Sequence, residues 1–198
     1  MYKQVKNCLL CGRELSLAIT WLYFAEKFQE VICARCKSTF EKVEYEQGEH
    51  HLSLFRYNEA MKDYLHRYKF MKDVVLAKVF RKEIYRVLRK KQGVIVPIPL
   101  HPEKLKERTF AQVDELLKAA NIPFQHVLKK VTFETQSSKT RAERLATSQL
   151  FEVDASISFE HYILFDDIYT TGTTIAHARN ALLEAGAKSV ESITLIRG

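Results

Sequence analysis

Two adjacent acidic residues and a threonine-rich loop form the most informative chemical pattern in the sequence. Asp166 and Asp167 follow the apolar run Tyr162-Ile163-Leu164-Phe165 and precede Thr170-Thr171-Gly172-Thr173-Thr174. A short apolar run predicts a buried strand, and ligands of parallel sheets bind at the carboxyl ends of strands. Two carboxylates suit the vicinal hydroxyls of a ribose, or a Mg²⁺ ion that carries a pyrophosphate. We therefore expect a sugar-phosphate site with Asp166 and Asp167 at the end of this strand.

The threonine-rich loop is predicted to hold a phosphate, because it opens a helix. The unpaired N–H groups and the positive dipole end of a helix N-terminus bind anions. Threonine hydroxyls add donors, and a glycine allows the backbone to turn tightly. The expected phosphate-binding residues are Thr170, Thr171, Gly172, Thr173 and Thr174. An acid pair can also simply end a strand, and a threonine can simply cap a helix, but the ordered combination is much more specific.

A second candidate segment follows the apolar run Val94-Ile95-Val96, which also predicts a buried strand. Lys104 and Arg108 come shortly after this run, and their charges could neutralise a pyrophosphate leaving group. The alternative interpretation is the solvated start of a basic helix.

The four cysteines form two C-x₂-C pairs, Cys8 with Cys11 and Cys33 with Cys36. Each pair can present two thiolates to one tetrahedral ion, so we predict a structural Zn²⁺ held by all four. Disulfides are disfavoured in a cytosolic chain. A thioredoxin-like role would need one pair at the end of a strand in a βαβ unit, which the sequence lacks.

Composition gives only broad limits on location and partners. The 198 residues carry a net charge of +7 and a pI near 9.2, which favours anionic partners such as nucleic acid or phosphorylated metabolites. No apolar run approaches the roughly 20 residues that span a bilayer, and residues 1–6 do not resemble a signal peptide. We therefore expect a cytoplasmic protein without a membrane span.

The remaining patterns predict an α/β fold with a parallel sheet. We expect strands at 51–55 and 190–196, helices at 58–70 and 74–90, and a further helix around 110–120. The strand, helix and strand after residue 161 form a βαβ crossover, so these two strands should be parallel. A polar segment at 41–49 suggests a linker, which divides the chain into a metal-binding module at 1–48 and a second domain at 49–198. The polar segment 132–148 is predicted to be a surface loop.

Together these motifs resemble a known family. The segment Ile163 to Thr174 resembles the signature of type I phosphoribosyltransferases, in which the two acids hold the ribose hydroxyls and the loop holds the 5′-phosphate of phosphoribosyl pyrophosphate (PRPP). Pro97-Ile98-Pro99-Leu100-His101-Pro102 and the later Arg108, Phe110 and Gln112 resemble the ComF family, phosphoribosyltransferase-like proteins of competence with N-terminal cysteine pairs. Thr109 stands where that family has glycine, and Ala111 where it has asparagine.

The resemblance implies a type I phosphoribosyltransferase fold with a small zinc ribbon, and a role in DNA uptake during natural transformation. It implies a pyrophosphate-side loop with Pro99, Leu100, Lys104 and Arg108. It also implies a hood over the ligand, for which we expect Gln136, Arg141 and Arg144.

Three functions remain open from the sequence. The first is an active phosphoribosyltransferase that uses PRPP and Mg²⁺. The second is an adaptor of the uptake machinery that binds single-stranded DNA or a helicase-like ATPase through the zinc module and basic surface. The third is a PRPP-responsive regulator. No catalytic residue is predicted, because Thr170 occupies the position at which purine-salvage relatives carry an aspartate as general base.

Overall fold

A four-stranded parallel sheet is the central element of the structure, a computed structural model that describes residues 5–15, 27–44, 51–131, 150–153 and 160–198. The strand order is β1-β6-β5-β2. The sheet strands are β1 (His51–Arg56), β2 (Val94–Pro97), β5 (His161–Tyr169) and β6 (Ser189–Arg197). A separate antiparallel pair consists of β3 (Leu128–Lys130) and β4 (Phe151–Val153).

Helices connect and cover these strands. They are α1 (Ala34–Lys37), α2 (Glu59–Lys69), a 3-10 helix (Val74–Lys78), α3 (Arg81–Leu88), α4 (Pro102–Arg108), α5 (Gln112–Ala119) and α6 (Thr173–Glu184). Asn58 begins α2 as an N-cap, because its side chain accepts a hydrogen bond of 3.0 Å from the backbone N–H of Met61. Within the described ranges, none of the helices has the length and apolar character needed to cross a bilayer.

The βαβ crossover of β5, α6 and β6 is confirmed. β5 and β6 are parallel, with Phe165 opposite Ile193 and Asp166 opposite Thr194. β2 is also parallel to β5, with Pro97 opposite Phe165. The loops that follow β2 and β5 therefore leave the same edge of the sheet from neighbouring strands, which brings the two candidate segments together.

The sheet separates two hydrophobic clusters, because successive strand residues point to opposite faces. Ile163 and Phe165 of β5 pack into the larger cluster with α2, α3 and α5. Tyr162 and Leu164 of the same strand pack into the smaller cluster with α6 and the β3–β4 pair. Burial on both faces explains why β5 begins as a continuous apolar run.

Two sequence-based expectations about these elements were wrong, and one element was missed. The helix expected at 74–90 is divided into the 3-10 helix and α3, and Phe80 lies between them with its ring 4.8 Å from the rings of Phe55 and Tyr64. β5 continues to Tyr169, so Asp166 and Asp167 lie inside the strand rather than after its end. The antiparallel β3–β4 pair was not anticipated, because three-residue strands carry little periodicity.

The cysteine-containing segment packs directly against the α/β unit. Val31, Ile32 and Phe40 belong to the same hydrophobic cluster as Phe55 and Phe80. The start of the expected linker is also ordered, since the Val43 N–H donates to the Leu54 carbonyl at 3.1 Å and the Arg56 N–H to the Glu41 carbonyl at 2.8 Å. The division at residues 48 and 49 remains a prediction, but the two parts share one core.

Candidate functional site

Asp167 is a buried carboxylate whose two oxygens both have protein partners. The ammonium of Lys69 lies 2.8 Å from Oδ1, and the side-chain amide of Gln112 donates to Oδ2 at 3.1 Å. Asp167 is 4 % exposed and Lys69 is 9 % exposed. A buried charge needs such partners, because its transfer from water is otherwise very costly. β5, α2 and α5 are therefore joined through a single carboxylate.

Asp166 has a different environment, although it is the adjacent residue. Its Oδ1 accepts a hydrogen bond of 2.8 Å from the backbone N–H of Asp167, and the residue is partly buried. Burial and the nearby charge of Asp167 raise the pKa of Asp166 to about 8, despite the opposing effects of that hydrogen bond, Lys69 and Lys130. The two acids are thus unequal: Asp167 is held by a lysine, and Asp166 holds a proton more readily than an ordinary aspartate.

The loop after β5 turns tightly into the N-terminus of α6. Gly172 adopts a φ of 76° and is the N-cap of α6, without a side-chain capping bond. A Cβ atom at this position would lie 2.3 Å from the hydroxyl oxygen of Tyr169, so only glycine fits. Thr170, Thr171 and Thr173 are exposed, and the hydroxyls of Thr171 and Thr173 are 2.9 Å apart. The first turn of α6 therefore presents backbone N–H groups beside these hydroxyls.

A cavity of about 180 Å³ lies between the two candidate segments. Its wall contains both acids, Asp114 and Thr174, together with the residues predicted for the pyrophosphate side, Pro99, Leu100, Lys104 and Arg108. The residues Thr170, Thr171, Gly172 and Thr173 do not form part of this wall. The structure therefore brings the acid pair and the basic segment together in one cavity. Most of the threonine loop lies outside the lining of this cavity.

Helix α4 explains how the basic segment is positioned and why the threonine at 109 is tolerated. Thr109 follows α4 in a left-handed conformation with φ 69°, and its N–H donates to the Leu105 carbonyl at 2.8 Å. Glycine favours this conformation, which accounts for the glycine in the family pattern. The Thr109 hydroxyl also bonds to the Arg108 carbonyl at 2.6 Å. The loop thus keeps its turn without glycine, and Arg108 lies over the ring of Phe70 at 5.7 Å.

Sequence reasoning did not assign four polar residues of the cavity wall to the site, namely Lys69, Gln112, Asp114 and Lys130. Gln112 had a partial signal, because it belongs to the Arg108-to-Gln112 pattern. Lys69 and Lys130 had none, since each reaches the acids only through the fold. Burial and the proximity of Lys104 lower the pKa of Lys130. Among the described residues, Lys104, Arg108 and Lys130 form no ion pair, so three cationic side chains face one small cavity.

Three consecutive residues in the C-terminal turn of α2 connect the cavity to neighbouring parts of the structure. The guanidinium of Arg67 donates to the carbonyls of Leu9 and Leu10 at 2.9 Å each. The Tyr68 hydroxyl donates to the Gln112 carbonyl at 2.7 Å. Lys69 is the ion-pair partner of Asp167. One helical turn therefore connects the first cysteine pair, α5 and the acid pair.

The four cysteines form a compact cluster at the other end of this connection. The Sγ atoms of Cys8, Cys11, Cys33 and Cys36 all lie within 4.8 Å of one another, and none is in a disulfide. The backbone N–H of Gly12 donates to the Cys8 carbonyl at 2.8 Å, and Gly12 has a φ of 73°. This turn and the start of α1 bring each pair into a knuckle. Four sulfur ligands in this arrangement fit one tetrahedral metal ion.

The electrostatics of the cluster also suit a cation. Burial alone would raise the pKa of Cys8, but hydrogen bonds from the backbone of Cys33, Cys11 and Leu10 lower it to about 6. Burial and the neighbouring thiols raise the pKa of Cys36. A shared cation would remove this competition, because every ligand can then be a thiolate. The expected hood residues Gln136, Arg141 and Arg144 lie outside the described residues, so their position relative to the cavity remains a prediction.

The fold and the site define a parallel-sheet α/β protein with a four-cysteine module and an acidic pair in a cation-lined cavity. No family model matches the sequence. The chain is 35 % identical over 219 residues to the competence protein ComFC of Streptococcus pneumoniae, which covers 96 % of this chain and 100 % of that protein. It is 33 % identical over 226 residues to the competence protein ComFC of Bacillus subtilis, with 96 % and 94 % covered. The chain therefore belongs to the ComFC family of competence proteins.

Proposed function

We propose that the chain binds PRPP together with Mg²⁺ in the cavity around Asp166 and Asp167. The observation that carries this proposal is the meeting of opposite charges in one cavity: two carboxylates on β5, and Lys104, Arg108 and Lys130 without ion-pair partners among the described residues. A sugar with vicinal hydroxyls and a pyrophosphate has the complementary arrangement. Carboxylate oxygens and ligand phosphates are also the donors that Mg²⁺ prefers.

The chemistry that this arrangement supports is displacement of pyrophosphate from ribose C1. The bond between C1 and the pyrophosphate oxygen would break, and its electron pair would leave with the pyrophosphate. Lys104, Arg108 and Lys130 would stabilise the departing charge, while the first turn of α6 would hold the 5′-phosphate. An acceptor nucleophile would then form the new bond to C1. Thr170 offers no general base, so the acceptor must arrive deprotonated or be activated elsewhere.

Calorimetric titration with PRPP in the presence and absence of Mg²⁺ tests the binding proposal. We expect Mg²⁺-dependent binding to the wild-type protein and at least about tenfold weaker binding to Lys104→Met, which loses a charge-assisted contact. Lys118→Met is a matched control, because Lys118 pairs with Glu115 on the exposed side of α5. Absence of PRPP binding to folded wild-type protein would contradict the proposal. Release of pyrophosphate with a panel of acceptors then separates an enzyme from a PRPP-responsive regulator.

We also propose that the cysteine cluster holds one structural Zn²⁺, which has the ligand preference and tetrahedral geometry that four thiolates offer. The family relationship supports a cytoplasmic role in competence and DNA uptake. The relatives carry the name competence protein, and that name alone does not specify a partner.

A second candidate function is that of an adaptor for single-stranded DNA or a helicase-like ATPase. The observation that favours it is an exposed basic surface on and after α3, formed by Arg86, Arg89 and Lys90. If this surface binds single strands, the logarithm of affinity should fall with the logarithm of salt concentration by about 0.7 per phosphate contact. The variant Arg86→Ala with Lys90→Ala should reduce that slope and leave PRPP binding unchanged. A slope equal to that of the wild type would exclude this surface.

A further inference from the structure

The ion pair between Lys69 and Asp167 lies in the wall of the cavity, where a ligand can reach it. An ion pair that only stabilises the fold does not need this position. The ammonium is 2.8 Å from Asp167 Oδ1, and both side chains contribute to the lining. Lys69 occupies one carboxylate oxygen and Gln112 the other. A metal ion that approaches from the cavity therefore meets a carboxylate that is already neutralised.

Displacement of Lys69 from Asp167 by a metal ion would have an electrostatic cost. This cost depends on whether an anionic group enters the cavity with the metal. The freed ammonium would remain beside Lys104, Arg108 and Lys130, and these cations already lack ion-pair partners among the described residues. A bare divalent ion would add two further positive charges to this cavity. A divalent ion that arrives with a pyrophosphate group brings the anionic oxygens that Lys69 needs after its release.

The buried amide of Gln112 provides a second, independent observation at the same place. Its Nε2 is fixed on Asp167, and its Oε1 has no hydrogen-bond partner, although the residue is only 5 % exposed. Exchange of the two amide atoms would not satisfy it, because the carboxylate requires a donor. A buried acceptor without a donor is unfavourable, so the ligand-free arrangement leaves one polar atom that a rearranged lysine or a ligand hydroxyl can satisfy.

We propose that Lys69 is a resident counter-ion of Asp167 that makes the site reject free divalent cations and accept a divalent cation only together with a diphosphate group. In the ligand-free protein Lys69 neutralises Asp167. Asp167 would be the ligand for a metal that enters with a diphosphate group, and the Lys69 ammonium would then pair with the diphosphate. Lys69 is thus a specificity-determining residue of the proposed PRPP site, and the inference rests on that proposed function.

The experiment measures binding of Mn²⁺, as a substitute for Mg²⁺, with and without saturating inorganic pyrophosphate. The wild-type protein should bind Mn²⁺ weakly alone and much more tightly with pyrophosphate. Lys69→Met should bind Mn²⁺ alone at least about tenfold more tightly than the wild type, because the Asp167 carboxylate then faces the cavity without its counter-ion. The enhancement by pyrophosphate should fall by a similar factor. If Lys69→Met does not fold, Lys69→Gln replaces it, since an amide keeps a donor for Asp167 without the charge.

Two controls decide the interpretation. Lys62→Met removes a lysine of the same helix that pairs with Glu59 on the exposed surface, so its affinity for Mn²⁺ alone should stay near the wild-type value. Lys69→Met combined with Asp167→Asn should lose the gain. An equal gain in Lys62→Met, or no gain in folded Lys69→Met, would overturn the proposal. If the Mn²⁺ pattern holds but PRPP does not bind, the counter-ion role stands and the identity of the sugar ligand is wrong.

Discussion

Lys69 Nζ and Asp167 Oδ1 are 2.8 Å apart, although one residue ends α2 and the other lies near the end of β5. This contact changes the expected effect on the free energy of unfolding when the acid pair is neutralised. Adjacency in the sequence suggests only two like charges in a small volume, so that neutralising both acids would cost little stability. The structure shows that one of the two charges is paired and buried.

Asp167→Asn is therefore expected to destabilise the protein by about 3–5 kcal/mol, because it leaves the Lys69 ammonium buried without its partner. Chemical denaturation of the variant and the wild type measures this difference. Asp167→Asn combined with Lys69→Met removes both charges and should recover a substantial part of the loss. An unchanged free energy of unfolding in Asp167→Asn would mean that the ion pair contributes nothing in solution.

Asp166→Asn should weaken PRPP binding without lowering the stability of the fold. It removes a carboxyl group that burial and Asp167 already disfavour as an anion, so stability should not fall. PRPP binding in the presence of Mg²⁺ should weaken by about 1.5–3 kcal/mol, the usual contribution of a hydrogen bond to a charged group. Titration calorimetry beside thermal melts separates the two effects. A normal affinity in the folded variant would remove Asp166 from the proposed site.

The pH dependence of stability provides an independent check on Asp166. Its folded pKa of about 8 lies above the ordinary value of 3.8. Between these values the folded state keeps a proton that the unfolded state has released, so this group destabilises the fold progressively as pH rises through that window. The melting temperature of the wild type relative to Asp166→Asn should fall from pH 5 to pH 8 and change little above it. A constant difference across this range would contradict the raised pKa.

The cysteine cluster predicts one zinc ion per chain. Elemental analysis of protein purified without chelator should find one equivalent, and Cys11→Ser should lose the metal. Metal release should also lower the melting temperature, since ligand binding and folding of a small metal module are linked. Protein free of zinc and other metals, or a disulfide between Cys8 and Cys33, would contradict this prediction. Ser38→Ala, which alters a nearby side chain whose hydroxyl donates to the Arg35 carbonyl, is a suitable control.

Deletion of residues 1–48 tests the division of the chain. The remaining residues 49–198 contain the complete parallel sheet, so we expect them to fold and to keep PRPP binding. Their melting temperature should be lower, because Phe55 and Phe80 lose contact with Phe40. Phe40→Ala in the full chain should cost about 3–5 kcal/mol for the same reason. An insoluble truncated protein would show that the two parts cannot be separated at this boundary.

The sequence was most informative where a single segment carries its own signal. The alternation of β1 and the apolar start of β5 are both local, and these strands were predicted from them. The missed features depend on contacts between distant segments. Phe80 interrupts the expected helix because three aromatic residues from elsewhere surround it. Lys69 and Lys130 join the cavity only because α2 and β3 pack beside β5, and no pattern within those segments indicates this.

The contacts of Arg67, Tyr68 and Lys69 also determine how the end of α2 is held in place. The side chain of Arg67 donates to the backbone of the first cysteine knuckle, and that of Tyr68 donates to the backbone of α5. The ammonium of Lys69 pairs with the carboxylate of Asp167. These contacts fix the C-terminal end of α2 against three separate parts of the structure. Replacement of Arg67 would therefore remove the hydrogen bonds that connect the first cysteine pair to α2, two residues before the lysine that pairs with Asp167.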